Sequence, residues 1–183
     1  MIALETESKG GTEMLCLIAK LDDAASAKLN ALRKAVLPDN EQGRPVYGHI
    51  TVASYQGEQE TAFIRSCREL LAKISAFEIA YESVEVLKET HIIVAKPGAS
   101  ETLTTLHRRI AEKHGDDLDP WTKGDRWYPH TTLLYRPDAD LEQICSVMAR
   151  HFSPFHAKVV RFELSRVLPD GYEIVDQIST MPR

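Results

Sequence analysis

Tyr47-Gly48-His49-Ile50-Thr51-Val52-Ala53-Ser54-Tyr55 and Trp127-Tyr128-Pro129-His130-Thr131-Thr132-Leu133-Leu134-Tyr135-Arg136 repeat one pattern: a His, one residue, then a Thr. Both runs are rich in β-branched and aromatic residues, which favour extended strands. Side chains alternate faces along a strand. His49 and Thr51 therefore share one face, as do His130 and Thr132, while Ile50, Val52, Leu133 and Tyr135 point the other way, into a core. Strict alternation also puts Tyr47, Tyr55 and Tyr128 on the histidine faces, as candidate substrate contacts. Arg136 falls on the face of His130 and Thr132, where a fixed positive charge would serve an anionic substrate.

The flanking segments repeat as well. Met14 to Lys20 is an apolar strand, and Asp22 or Asp23 then caps a helix with Ala25, Leu29, Leu32 and Val36 at helical spacing, ended by Pro38. A polar loop over 39–44 leads to the first motif. A second helix from about Glu58 to Ser75 carries Phe63, Cys67 and Leu71 on its apolar stripe. Strands follow at Phe77 to Leu87 and Thr90 to Lys96, closed by a turn at Pro97-Gly98. Ser100 caps a third helix bearing Leu103, Leu106 and Ile110, with Gly115 at its C-cap. Beyond the second motif, Asp138 caps a fourth helix, and strands at Phe155 to Leu168 and Gly171 to Ile178 join through Pro169-Asp170-Gly171. Each half thus reads strand, helix, motif strand, helix, strand, with Phe77 and Phe155 opening the last strand. This is an internal duplication, and a pseudo-twofold pairing of the halves would set one His-Thr pair on each wall of a single cleft. Residues 1–12 read as a flexible tail and 13–183 as one bilobal domain.

Composition bounds the function. A chain of 183 residues, 43% hydrophobic and 27% charged, can bury a substantial core. A net charge of -5 excludes a chain-wide phosphate-binding surface, and with it long nucleic acid as a partner, while leaving room for a small basic site. No apolar run reaches membrane length, and the acidic start does not read as a signal peptide. Cys16, Cys67 and Cys145 lie singly in apolar segments, as buried thiols without disulfide or metal-ligand spacing. A cytoplasmic monomer is expected.

Two opposed imidazoles divide one reaction between them. The neutral one takes a proton from an attacking hydroxyl, and the protonated one gives a proton to the departing oxygen. In-line displacement at phosphorus needs both. A hydroxyl beside each ring can hold a non-bridging oxygen, supplying positioning and charge stabilisation without a metal. One His-x-Thr in a strand is a weak signal; two at equivalent points of a repeat are a strong one.

With these residues in hand, the chain resembles the 2H (two-histidine) phosphoesterase superfamily, which includes the LigT-like 2'-5' RNA ligases and 2',3'-cyclic phosphodiesterases. His49-Ile50-Thr51-Val52 and His130-Thr131-Thr132-Leu133 carry the resemblance, which extends from about Met14 to the end. It implies an α+β bilobal fold in which two pseudo-twofold related antiparallel sheets line a central cleft, with helices outside. It also implies metal-independent opening of a cyclic phosphodiester on a nucleotide or an RNA terminus, the reverse being 2'-5' ligation. His49 and His130 would be acid and base, Thr51 and Thr132 would bind phosphate, and no cofactor is needed.

Two other function classes stand beside this one: a catalytically silent module that grips nucleotides or RNA ends, and a two-His metallohydrolase, for which no third ligand is in evidence. His91, His107, His114, His151 and His156 fall outside the repeat and read as surface residues. The aromatic and basic loop from Pro120 to Tyr128 reads equally as a base-stacking element or as a Trp-anchored structural loop.

Overall fold

The computed structural model describes residues 14–37, 45–168 and 171–181. The expected tail, Pro38, the 39–44 loop and most of the Pro169-Asp170-Gly171 turn lie outside them. Strand β1 (Met14–Leu21) leads to α1 (Asp23–Lys34), β2 (His49–Tyr55), α2 (Glu60–Leu71) and β3 (Phe77–Val86). The second half runs β4 (Ile92–Pro97), α3 (Glu101–His114), β5 (Thr131–Tyr135), α4 (Leu141–His151) and β6 (Phe155–Leu168), followed by β7 (Gly171–Ser179).

Three of the helices start on side-chain caps. Asp22 accepts from the Ala25 N–H at 2.7 Å and Ser100 from that of Leu103. The fourth helix is capped by Asp140, which takes the Gln143 N–H, and not by Asp138. Gly115 keeps right-handed helical geometry, because the chain continues there into a short 3-10 turn, Gly115–Asp117. No helix among the described residues is long and apolar enough to cross a membrane.

The strands form one open antiparallel sheet in the order β2-β1-β6-β3-β4-β5, with β7 added to β6. The sheets of the two halves are joined along β3 and β6, where Phe77 pairs with Val159 and Tyr81 with Phe155. From either edge the order is motif strand, first strand of that half, last strand of the other half. The halves have exchanged their last strands. They exchange helices too: α1 packs on β5, and α3 packs on β2. Each motif strand is therefore backed by a helix from the other half.

The core lies between the helices and one face of the sheet. It takes Leu15, Leu17, Ala19 and Leu21 of β1, Ile93 and Ala95 of β4, and the apolar stripes of all four helices. Ile18 and Val94, on the opposite face, are fully buried but do not belong to that cluster. Opposite them sit Thr51 and Thr132, with Ile18 paired to Thr51 and Val94 to Thr132.

The duplication extends to a backbone irregularity. In the β1–β2 ladder the register slips between Leu17 and Ile18, so that Val52 is an extra residue. In the β4–β5 ladder it slips between Ile93 and Val94, and Leu133 is the extra residue. Both β-bulges fall on the residue after the motif Thr. A bulge reverses the alternation of every side chain beyond it.

Candidate active site

Both motif histidines are held the same way. His49 Nδ1 lies 2.6 Å from the Tyr47 carbonyl, and His130 Nδ1 lies 2.7 Å from that of Tyr128. A carbonyl only accepts, so each Nδ1 carries the proton and each Nε2 is left as the reactive nitrogen. The Thr51 and Thr132 hydroxyls make no hydrogen bond to another described residue.

The two motifs are bound to each other through the residues between and beside them. Thr131 Oγ1 donates to the His49 carbonyl at 2.7 Å and pairs with the buried Tyr81 hydroxyl at 2.5 Å. Trp127 Nε1 donates to the Thr51 carbonyl at 2.9 Å, and its ring stacks on His107 at 4.2 Å. His107 Nδ1 in turn donates to the Val52 carbonyl at 2.9 Å. These bonds fix β5 against β2, so the two histidines belong to one locus.

Each histidine has the same supporting set, drawn from equivalent strands. In the first half the Tyr47 hydroxyl donates to Glu163 at 2.8 and 2.9 Å, and Lys20, paired with His49 across the ladder, sits 4.2 Å above the Tyr47 ring. In the second half the Tyr128 hydroxyl donates to Glu85, and Lys96 sits 5.3 Å above the Tyr128 ring. The register makes the carboxylates equivalent: Glu163 pairs with Ile18 and Glu85 with Val94.

The surroundings of these sets differ. Glu163 is fully buried and bonded at 2.6 Å by Arg161, which also reaches the Tyr47 hydroxyl. Glu85 is partly exposed, with Lys96 as its cation partner at the longer distance of 3.9 Å. Burial pushes His49 down to about 4 against the upward pull of the Tyr47 carbonyl, and the nearby His130 and Lys20 charges add to the fall. Burial also lowers His130, opposed by the Tyr128 carbonyl and, unlike at His49, by a carboxylate, Glu85. Burial and the neighbouring Glu163 raise the Tyr47 phenol to about 12, so it stays a donor.

Four of the six expected site side chains besides the histidines lie at this locus: Thr51, Thr132, Tyr47 and Tyr128. Tyr47 and Tyr128 lie 5.9 and 6.3 Å from their histidine rings. Tyr55 does not. Lying beyond the bulge, it turns into the core, stacks on Phe63 at 4.4 Å and accepts the Gln59 N–H. Arg136 is displaced for the same reason, since the register puts it on the face of Leu134, and Tyr135 takes the face of Thr132. His107, expected at the surface, is buried under Trp127.

Alternation along a single strand could not reveal Glu85 and Glu163. Alignment of the two halves could have, because each Glu stands eight residues after the Phe that opens its strand. The Pro120 to Tyr128 loop is anchored through Trp127, as the structural reading expected. Trp121 remains exposed at its outer side, with Arg126 5.1 Å from its ring.

The sequence family described as the 2'-5' RNA ligase superfamily matches residues 18–171. No curated protein matches the chain. Among solved structures, one described as a phosphoesterase superposes with a TM-score of 0.68 at 15% identity, over 92% of this chain and 99% of that one. Escherichia coli LigT complexed with 3'-AMP gives a TM-score of 0.66 at 15% identity, over 92% and 98%. A Thermus thermophilus protein gives 0.63 at 18% identity, over 91% and 97%.

Proposed function

Because the chain belongs to the 2'-5' RNA ligase superfamily, we propose that it is a metal-independent phosphoesterase that opens a cyclic phosphodiester on a nucleotide or an RNA terminus. The observation that carries this reading is the pair of identically tethered histidines, each with a free threonine hydroxyl on its face, fixed against each other by Thr131 and Trp127.

The asymmetry of the supporting carboxylates supports one division of roles. His49, next to a carboxylate already neutralised by Arg161, stays unprotonated and acts as base. His130, next to the less compensated Glu85, is the better proton donor. His49 Nε2 takes a proton from water as the water oxygen bonds to phosphorus. The ring P–O bond opposite breaks, and its oxygen receives the proton from His130 Nε2. Thr51 and Thr132 hold the non-bridging oxygens as charge builds on them. The product is a phosphomonoester. With a hydroxyl in place of water the same step leaves a 2'-5' diester, which is the ligation chemistry, and the histidines exchange roles in its reverse, where the freed ribose hydroxyl re-forms the ring and the joined oxygen leaves.

Similar folds support a nucleotide substrate: LigT structures carry 3'-AMP, ATP and NADP+. Turnover of 2',3'-cyclic nucleotides by the wild type, with and without a strong chelator, tests the reading. It predicts equal rates in both and loss of turnover in His49→Ala and His130→Ala. Activity retained in both variants contradicts it, and tight binding with no product would make the chain a binding module.

A further inference from the structure

Where hydrogen bonds close the first half, the described residues of the second half border a cavity. In the first half, Lys20 donates to the Gly48 carbonyl at 3.1 Å, to Ser26 Oγ at 3.3 Å and to the Leu21 carbonyl at 3.2 Å. All three of its protons are engaged, and the site is closed. Gly48 is required there, since a Cβ on it would sit 2.4 Å from Ser26 Oγ.

In the second half the equivalent positions are Lys96, Thr104 (four residues past the helix cap, as Ser26 is) and Pro129 (the residue before the motif His). Here they stand apart around a cavity of about 200 Å3 that also touches Pro97, Leu103 and Tyr128. The cause is in the chain. One residue, Leu21, separates Lys20 from its helix cap, whereas Pro97-Gly98-Ala99 separates Lys96 from Ser100. The longer connection runs along the cavity wall, with Pro97, Gly98 and Ala99 all lining it.

Resting on the phosphoesterase reading, we infer that this cavity is a base-binding subsite, taking the nucleobase attached to the reacting ribose on the His130 side. Its walls are mainly apolar, with Pro97, Leu103, Pro129 and the Tyr128 ring, while Lys96 and the Ser100 and Thr104 hydroxyls supply a few polar groups. That mixture suits a flat ring with acceptor atoms on its edge. A second phosphate fits poorly, because the one ammonium here already lies 3.9 Å from Glu85. The equivalent place in the first half is filled by the contacts among Lys20, Ser26 and Gly48, so the substrate would enter with its base on the His130 side.

The test compares kcat/KM for 2',3'-cyclic nucleotides with that for 1,2-cyclic glycerol phosphate, which has the same five-membered phosphodiester and no base. The wild type should favour the nucleotides by about tenfold or more. Thr104→Trp, at an exposed helix position on the cavity rim, should bring that ratio towards one through KM, with Tm retained, and Lys96→Met should reduce it partway. Equal use of both substrates by the wild type, or a ratio unchanged in a folded Thr104→Trp, overturns the inference. Should the wild type turn over neither compound, calorimetry with the same two ligands decides. Tighter nucleotide binding that Thr104→Trp abolishes keeps the subsite and removes only the enzymatic reading, whereas equal or absent binding of both removes the subsite.

Discussion

The first and second halves of this chain perform the same construction with different degrees of closure. Each presents a histidine tethered through Nδ1, a threonine, and a tyrosine bound to a carboxylate under a lysine ammonium. In the first half the carboxylate is fully buried and salt-bridged, and the lysine is bonded at every proton. In the second the carboxylate is partly exposed, and the lysine borders a cavity. Duplication supplies two equivalent imidazoles, but acid–base chemistry needs two different ones. The difference lies in the surrounding charges and not in the motifs.

The largest effects test what the halves share. His49→Ala and His130→Ala should each lower kcat/KM on a 2',3'-cyclic nucleotide by on the order of 10^3-fold. Steady-state assays checked for contaminating activity measure this. Thr51→Val and Thr132→Val should each cost about 10^2-fold, mostly in kcat, because each removes one donor to the charge-bearing oxygens.

The base must be neutral and the acid protonated, so kcat/KM against pH should be bell-shaped. Its acid limb should fall near 4, where His49 protonates, and its alkaline limb should fall below 6.5, the ordinary histidine value from which His130 is lowered. Lys20, Arg161, Glu163 and Tyr47 surround the first ring, and Glu85, Lys96 and Tyr128 the second. Glu85→Gln should therefore move the alkaline limb to lower pH and leave the acid limb in place. Glu163→Gln should leave the alkaline limb unmoved.

Stability should separate the carboxylates in the opposite sense. Removing the buried, salt-bridged Glu163 should cost about 3 kcal/mol in urea unfolding. The half-exposed Glu85 should cost under about 1 kcal/mol. The smallest effect is at Tyr55, where Tyr55→Phe should lose about 1 kcal/mol of stability and leave kcat/KM unchanged.

The element order, the duplication and the pairing of His49-Thr51 with His130-Thr132 are legible in the sequence because they rest on short-range periodicity. Periodicity misplaces Tyr55 and Arg136 because it assumes an uninterrupted ladder. One bulge after each motif Thr reverses everything downstream, and nothing in Val52 or Leu133 announces it. The burial of His107 is hidden for another reason: it depends on Trp127, twenty residues away in the chain. The exchange of last strands between halves is a property of the sheet, so Glu85 and Glu163 reach their histidines only through long-range pairing. Their common offset from Phe77 and Phe155 is the one trace of this in the sequence.

If the two motifs act on one phosphate, an NMR titration with inorganic phosphate will show it. With the imidazole nitrogens of His49 and His130 observed together, both should move along one binding curve, with a single Kd and one phosphate per chain. Movement of one imidazole alone, or two curves with different midpoints, would contradict it.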